Sequence, residues 1–231
     1  MRILMIGGTQ FVGRHITAAA LAAGHEVTLL HRGKTGAALF PDADHRLADR
    51  DDPDALAAAL ADGEWDATID VCAYFPSQVA SIADALGDRG GRFVLISTAS
   101  VYHPEHAGFT EHSRLFELDP AEPVPTEITE TTYGPLKVAC ERVALERFGP
   151  DTLIVRPTYV IGPWDSLRRF DYWAHRIARG GDVLAPGRPS DPLQVIDARD
   201  IASFILTALA SGTPGIFHLV GSSATATFGD L

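Results

Sequence analysis

The fold of this 231-residue chain is decided near its N-terminus by residues 3–15, which read ILMIGGTQFVGRH. The apolar run 3–6 predicts a buried strand, and residues 11–23 predict a helix that Gly24 ends. The glycines between them let the backbone turn sharply and approach a diphosphate, which the amides and dipole of the following helix then hold. A glycine-rich turn between a strand and a helix is the context that dinucleotide binding requires. The alternative is a tight strand–helix turn that binds no ligand.

The rest of the chain alternates short apolar strands with longer amphipathic helices, which favours a parallel sheet covered on both faces. We therefore expect an α/β fold with a Rossmann-like, doubly wound parallel sheet. The further predicted strands are residues 26–30, 45–48, 67–71, 92–97, 152–156, 193–196 and 215–219, and the further predicted helices are 52–61, 77–86, 133–147, 167–179 and 200–210. The irregular stretch 99–132 is too long for an ordinary loop, so we expect it to be functional, partly ordered or a lid.

Two regions are expected within the chain. Residues 1–160 are predicted to form a dinucleotide-binding Rossmann domain. Residues 161–231 are predicted to form a small substrate lobe, either truncated or unusually short, some of whose elements return to the Rossmann sheet.

Composition limits the class of function. The formal net charge of −11 repels phosphate backbones and anionic lipids, so neither a nucleic acid nor a membrane is an expected partner. The two cysteines, Cys72 and Cys140, are too few for a disulfide framework. Because the apolar run at the N-terminus is also too short for a signal peptide, we expect a cytoplasmic protein. No metal is expected at His103, His106 and His112 with Glu105 and Glu111, because their spacing fits no helix face and their region is loop-like.

The end of the second predicted strand bears on the choice of nucleotide. An NAD site usually has an acidic residue there, bonded to the ribose hydroxyls, and this chain has none. Arg32 offers a guanidinium fork for a 2′-phosphate and Lys34 adds positive charge. The sequence thus predicts NADP, with NAD as the alternative cofactor and solvated surface cations as the simpler interpretation of both residues.

Two segments carry candidate catalytic groups. The fifth predicted strand ends in STASVY at residues 97–102, and a helix opens with YGPLK at residues 133–137. A spacing of four residues puts Tyr133 and Lys137 on one helix face. A nearby cation favours the phenolate of a tyrosine, whose free pKa is about 10, and so makes the phenol a usable acid or base.

With the glycine-rich turn, these segments resemble the motifs of the extended and atypical short-chain dehydrogenases/reductases, the NAD(P)-dependent epimerase/dehydratase group. The resemblance implies that Thr98, Tyr133 and Lys137 are catalytic and that Lys137 also holds the nicotinamide ribose. It places Asp49 on the adenine, with a plain turn residue as the alternative, Ala73 against the cofactor, and the Pro157 turn beside the nicotinamide. The implied cofactor-binding set is Gly7, Thr9, Gln10, Phe11, Val12, Gly13, Arg32, Lys34, Asp49, Ala73, Tyr133, Lys137 and Pro157. Gln10 stands where the family usually has glycine.

Departures from the family pattern bear on the substrate. Leu193 replaces the arginine that grips a sugar-nucleotide diphosphate, and Ala99-Ser100 replaces the Asp-Glu pair of the dehydratases, which argues against dehydration. Arg168 and Arg169 are expected to face solvent rather than the substrate cleft.

The function predicted is an NADP-dependent oxidoreductase that transfers hydride at a carbinol or carbonyl carbon of a sugar-like or small polar molecule. The alternatives are a sugar or nucleotide-sugar epimerase and a non-catalytic NADP-binding regulator or scaffold. The resemblance further implies a homodimer formed through the helices predicted at residues 77–86 and 133–147.

Overall fold

The protein is described by a computed structural model that covers residues 1–104, 108–185, 187–221 and 226–230. The strands are β1 (Arg2–Ile6), β2 (Glu26–His31), β3 (Asp44–Leu47), β4 (Ala67–Asp70), β5 (Arg92–Ile96), β6 (Leu153–Pro157), β7 (Tyr159–Ile161), β8 (Val195–Asp197) and β9 (Gly215–Leu219). The helices are α1 (Phe11–Ala22), α2 (Pro53–Leu60), α3 (Pro76–Leu86), α4 (Tyr133–Phe148), α5 (Arg169–Ala178) and α6 (Ala198–Ser211).

Seven of the strands form one parallel sheet in the order β3-β2-β1-β4-β5-β6-β9. The strand order reverses between β1 and β4, since the chain first builds outward to β3 and then crosses to the other side of β1. Parallel sheets of this kind bind ligands in the crevice at the carboxyl ends of the strands beside such a reversal. The prediction of a Rossmann-like, doubly wound sheet is confirmed.

Both faces of the sheet are covered because successive side chains of a strand point to opposite faces. Ile3 and Met5 of β1 are fully buried in a core that α1 and α6 cover. Leu4 and Ile6 are buried in a second core on the opposite face, under α2, α3 and α4. The unbroken apolar run of β1 therefore reflects burial on two sides.

The segment after β6 differs from the sequence prediction in detail. Residues Tyr159–Ile161 form the unpredicted strand β7, which pairs in parallel with β8 as a separate two-stranded sheet. The strand predicted at 193–196 lies at Val195–Asp197. Strand β9 pairs with β6 at the edge of the large sheet, while α5 contributes no buried residue.

None of the helices in the described part of the chain is long and apolar enough to cross a lipid bilayer.

Candidate active site

The glycine-rich turn between β1 and α1 has a backbone that other residues adopt with difficulty. Gly7 and Gly8 have φ angles of +99° and +89°. A Cβ atom at Gly13 would lie 2.9 Å from both the Cα and the amide nitrogen of Gly8. Since these contacts are with backbone atoms, side chains are excluded here, and the N-terminus of α1 packs closely against the end of β1.

A cavity of about 500 Å³ opens over this turn, and we call it the cofactor cavity. It is lined by residues 6–13 of the turn, residues 30–35 after β2, residues 48–51 after β3, and Val71, Cys72, Tyr74, Gln78 and Ser166. The glycines have no side chain, so a ligand in this cavity can approach the backbone closely at the N-terminus of α1, which is the arrangement that holds a diphosphate. The cavity therefore fits a dinucleotide.

The predicted phosphate-binding residues Arg32 and Lys34 both line the cofactor cavity and are exposed. Neither side chain pairs with a carboxylate within the described residues. Two cations beside a cavity without bound counter-charges are suited to an anion, because no protein carboxylate must be displaced from them.

The structure places three other predicted cofactor residues as follows. Gln10 is exposed on the cavity wall immediately before α1, in an extended conformation, and its side chain makes no capping bond. Asp49 lines the cavity while its Oδ1 accepts a hydrogen bond from the amide of Asp51 at 3.3 Å. Ala73 is fully buried, and its carbonyl oxygen accepts from Lys137.

An ion pair that sequence reasoning missed lies at the edge of the cofactor cavity. Arg50 donates from Nη1 to Asp70 Oδ1 at 2.9 Å and from Nη2 to Asp70 Oδ2 at 2.6 Å, and Asp70 is fully buried at the end of β4. Burial first, and then the Asp70 carboxylate, raise the pKa of the neighbouring Cys72 thiol to about 11.

A second cavity of about 530 Å³, here called the reaction cavity, contains all three predicted catalytic residues. Thr98 follows β5, while Tyr133 and Lys137 lie in the first turns of α4. Pro157, at the end of β6, also lines this cavity. The two cavities adjoin, because they share the lining residues Phe11, Val12, Val71 and Tyr74.

The ammonium of Lys137 is fixed by the sheet. Its Nζ donates to the carbonyl oxygens of Ala73 and Ile96, both at 2.7 Å, and the residue is only 3% exposed. Burial lowers the pKa of this lysine, although nearby anionic groups oppose the shift.

The phenol of Tyr133 keeps its proton at neutral pH. Burial raises its pKa above the usual value, while a hydrogen bond with Thr98 and the positive charge of Arg169 act in the opposite direction. Thr98 and Arg169 are therefore the groups of this cavity that make the phenol easier to ionise.

A buried ion pair lies next to Ser97, a lining residue of the reaction cavity. Arg156 of β6 donates from Nε and Nη2 to the two carboxylate oxygens of Glu141, at 3.0 and 2.6 Å, and both residues are at most 3% exposed. Ser97, next to Thr98, also donates to Glu141. The pair joins α4 to the ends of β5 and β6, and so fixes the elements that carry Thr98 and Lys137.

Arg169 contradicts the sequence expectation that it faces solvent. It lines the reaction cavity, and Asp165 holds its Nε and Nη2 at 3.0 Å each. Arg168 is exposed, as expected. The difference arises because α5 begins at Arg169, where the Asp165 carboxylate also accepts the Arg169 amide and turns the side chain inward.

Of the histidine and glutamate residues weighed as metal ligands, Glu105 and His106 lie outside the described residues. Among those described, no group of three or more histidine, cysteine or acidic side chains is arranged to hold a metal ion.

The parallel sheet, with both cavities at the carboxyl ends of its strands, places the protein in the class of Rossmann-like α/β folds. A sequence model of the NAD dependent epimerase/dehydratase family matches residues 3–219, and the chain belongs to that family of enzymes. The predicted family is confirmed.

Known proteins resemble the chain at low sequence identity. Chloroplast stem-loop binding protein of 41 kDa b from Arabidopsis thaliana is 24% identical over 95% of this chain, which spans 58% of that relative's length. Solved structures that share the fold include the following two. A putative epimerase from Burkholderia cenocepacia J2315 has a TM-score of 0.75 at 23% identity, and the match covers 98% of this chain and 77% of the epimerase chain. UDP-glucuronic acid 4-epimerase from Bacillus cereus in complex with NAD has a TM-score of 0.72 at 18% identity, and the match covers 96% of this chain and 79% of that epimerase chain.

Proposed function

We propose that the protein is an NADP-dependent oxidoreductase that moves hydride to or from a carbinol or carbonyl carbon of a sugar-like or small polar substrate. The observation that carries this proposal is the meeting of Thr98, Tyr133 and Lys137 in one cavity that adjoins the glycine-lined cofactor cavity. A bound nicotinamide would supply the hydride chemistry.

Each of the three side chains has a role that its surroundings support. Tyr133 exchanges a proton with the substrate oxygen, acting as the acid during reduction because its raised pKa keeps the phenol protonated. Thr98 orients the same oxygen. Lys137 has three N–H donors, of which two are used by carbonyl groups, and the third serves the phenol or the ribose hydroxyls.

Arg32 and Lys34 support NADP as the cofactor, since both line the cofactor cavity without a carboxylate partner among the described residues. Replacing Arg32 by alanine should weaken NADPH binding at least about tenfold, the effect of losing one charge-assisted contact, and leave NADH binding little changed. Arg142→Ala is a matched control, because Arg142 is exposed and pairs with Glu117 away from the cavity. Unchanged NADPH binding in Arg32→Ala contradicts the cofactor assignment.

The reaction is tested with a panel of carbonyl compounds, polyols and nucleotide sugars, followed by the reduced-nicotinamide absorbance. Net change of that absorbance with a substrate supports an oxidoreductase. Tyr133→Phe should then lose about 10²-fold to 10⁴-fold in turnover while still binding NADPH. Tyr172→Phe serves as the control, because Tyr172 lies on the exposed side of α5. Full turnover by Tyr133→Phe contradicts the proposed mechanism.

A second candidate, sugar or nucleotide-sugar epimerisation, is favoured by the solved structures of similar fold, which include a UDP-glucuronic acid 4-epimerase. The same panel separates an epimerase from an oxidoreductase, since an epimerase converts substrate with no net absorbance change.

A third candidate, a non-catalytic NADP-binding regulator, is favoured by the name of the stem-loop binding relative and disfavoured by the net charge of −11. NADPH binding without turnover on the whole panel supports this third candidate.

A further inference from the structure

Two histidines lie one behind the other at the edge of the cofactor cavity. His31 ends β2, lines the cavity and is 8% exposed, while His45 lies in the neighbouring strand β3 and does not line the cavity. The His31 Nε2 lies 2.8 Å from the His45 Nδ1, and the two rings are nearly perpendicular. The rings form the middle of a chain of hydrogen bonds that starts at Gly33.

The direction of this hydrogen-bond chain follows from its two ends. The amide of Gly33 can only donate, and it lies 3.0 Å from His31 Nδ1, which must therefore be an unprotonated acceptor. A neutral His31 then carries its proton on Nε2 and donates to Nδ1 of His45. His45 in turn carries its proton on Nε2 and donates to the carbonyl oxygen of Phe40 at 3.1 Å. One proton on each ring satisfies all three hydrogen bonds.

The neutral form of both rings is the one that this arrangement needs, since a second proton on either ring removes the nitrogen that accepts. Burial and the neighbouring His45 lower the pKa of His31, which supports the neutral form. The pair therefore acts as a fixed link between strand β3 and the turn that follows β2.

The link ends at the turn that carries both cavity cations. Gly33, with a φ of +71°, lies between Arg32 and Lys34, and its amide is held by His31. At the other end, Phe40 has a φ of +60° and closes the loop that begins at this turn. Gly36 in the same loop packs against Thr9, because a Cβ there would lie 3.1 Å from the Thr9 carbonyl oxygen. The loop is thus fixed between β3 and the glycine-rich turn.

We propose that His45 is a positioning residue for nucleotide recognition, which acts through His31 and Gly33 to hold Arg32 and Lys34 where a 2′-phosphate binds. The proposal rests on the proposed NADP preference. Without an acceptor at residue 45, the His31 ring is released, Gly33 loses its hydrogen bond, and the two cations become mobile. Binding of a nucleotide that has the phosphate then suffers more than binding of one that lacks it.

The test compares His45→Leu, which removes the acceptor, with His45→Asn, whose Oδ1 atom keeps an acceptor near the position of Nδ1. Dissociation constants for NADPH and NADH are measured by fluorescence titration, and hydrogen exchange of the Gly33 amide is followed by NMR without nucleotide. His45→Leu should weaken NADPH binding about tenfold, change NADH binding little and speed Gly33 exchange, whereas His45→Asn should restore both properties in large part.

Thr28→Val is the matched control, because Thr28 lies in β2 away from the cavity, where its Oγ1 accepts from Trp65 Nε1 at 3.0 Å. This variant loses that hydrogen bond and a second one, donated to Asp44 Oδ2 of β3 at 3.5 Å, but should keep the NADPH-to-NADH ratio. In a protein that prefers NADPH, equal weakening of both nucleotides by His45→Leu, or unchanged exchange of Gly33, overturns the positioning role. Equal wild-type affinities for the two nucleotides instead overturn the cofactor proposal on which it rests.

Discussion

The ammonium nitrogen of Lys137 lies 2.7 Å from the carbonyl oxygen of Ala73, so a helix residue is bonded directly to the segment that follows the central strand β4. A second bond of the same length joins it to Ile96 at the end of β5. The lysine thus has a structural role in addition to the proposed catalytic one, because it satisfies two carbonyl groups at the carboxyl edge of the sheet.

Replacing Lys137 by methionine should lower both stability and turnover. Each carbonyl left without a donor costs about 1–3 kcal/mol, which urea unfolding measures as a lower midpoint. Turnover should fall about 10²-fold or more, since the N–H donor of Lys137 that we propose serves the phenol or the ribose hydroxyls is lost. An unfolding midpoint equal to that of the wild type contradicts the structural role, and full turnover contradicts the catalytic one.

Thr98 is expected to control the pH at which Tyr133 becomes a base. Burial raises the pKa of Tyr133 and the hydrogen bond with Thr98 lowers it, so Thr98→Val should raise the pKa further. Less phenolate is then present at any given pH, and the rising limb of the oxidation rate moves to higher pH. Thr98→Ser keeps a hydroxyl and should return the profile toward that of the wild type. A pH–rate profile unchanged in Thr98→Val contradicts this coupling.

Much of the fold follows from local sequence because most strands of the large sheet are short apolar runs, the edge strand β3 (Asp44–Leu47) being the polar exception. The sequence also predicts the glycine-rich turn and the Tyr133–Lys137 pair, since each depends on residues close together in the chain. Local sequence does not predict the pairs Arg50–Asp70, Glu141–Arg156 and His31–His45, because sheet pairing and helix packing bring together side chains 14 or more residues apart. Strand β7 was missed since its three residues pair only with β8, which lies beyond α5.

The Glu141–Arg156 pair gives a prediction about stability. Arg156→Met leaves the Glu141 carboxylate buried without its main partner, and loss of one member of a buried ion pair costs about 3–5 kcal/mol. The double variant Glu141→Leu with Arg156→Met removes the stranded charge and should recover part of that loss. Urea unfolding of the single and double variants measures the difference. A double variant less stable than Arg156→Met would show that the carboxylate is satisfied by other groups.

Gly13 gives a prediction about nucleotide binding. In Gly13→Ala, the new Cβ would meet the Gly8 backbone at 2.9 Å, so α1 must move away from the turn that holds the diphosphate. NADPH binding, measured by calorimetry, should weaken at least about tenfold, a loss of about 1.4 kcal/mol. Gly24→Ala is the control, because Gly24 has a φ of +78° and no atom of the described residues lies within 4 Å of the place that a Cβ would take. It should lose stability through strain while binding NADPH as before.

Asp197 gives a prediction about stability against pH. It caps α6 by accepting the Arg199 amide at 2.8 Å, and it also accepts from the Arg199 side chain at 2.9 and 2.7 Å. These hydrogen bonds lower the pKa of Asp197, although burial opposes the shift. A carboxyl group whose pKa is lower in the folded state stabilises the fold above its unfolded pKa of about 4, and this contribution is lost as pH falls through the folded pKa.

Two variants separate the charge of Asp197 from its capping role. Asp197→Asn keeps an oxygen that caps α6 but has no charge, so its deficit in unfolding free energy should be largest near pH 7 and shrink as the pH falls below about 4. Asp197→Ala also loses the cap, and about 1 kcal/mol of its deficit should persist at low pH. Urea unfolding across this pH range measures both deficits. Because α6 packs on α1, and the glycine-rich turn leads directly into α1, NADPH binding by Asp197→Ala should weaken in parallel with its stability. A deficit in the unfolding free energy of Asp197→Asn that does not change with pH contradicts the charge contribution.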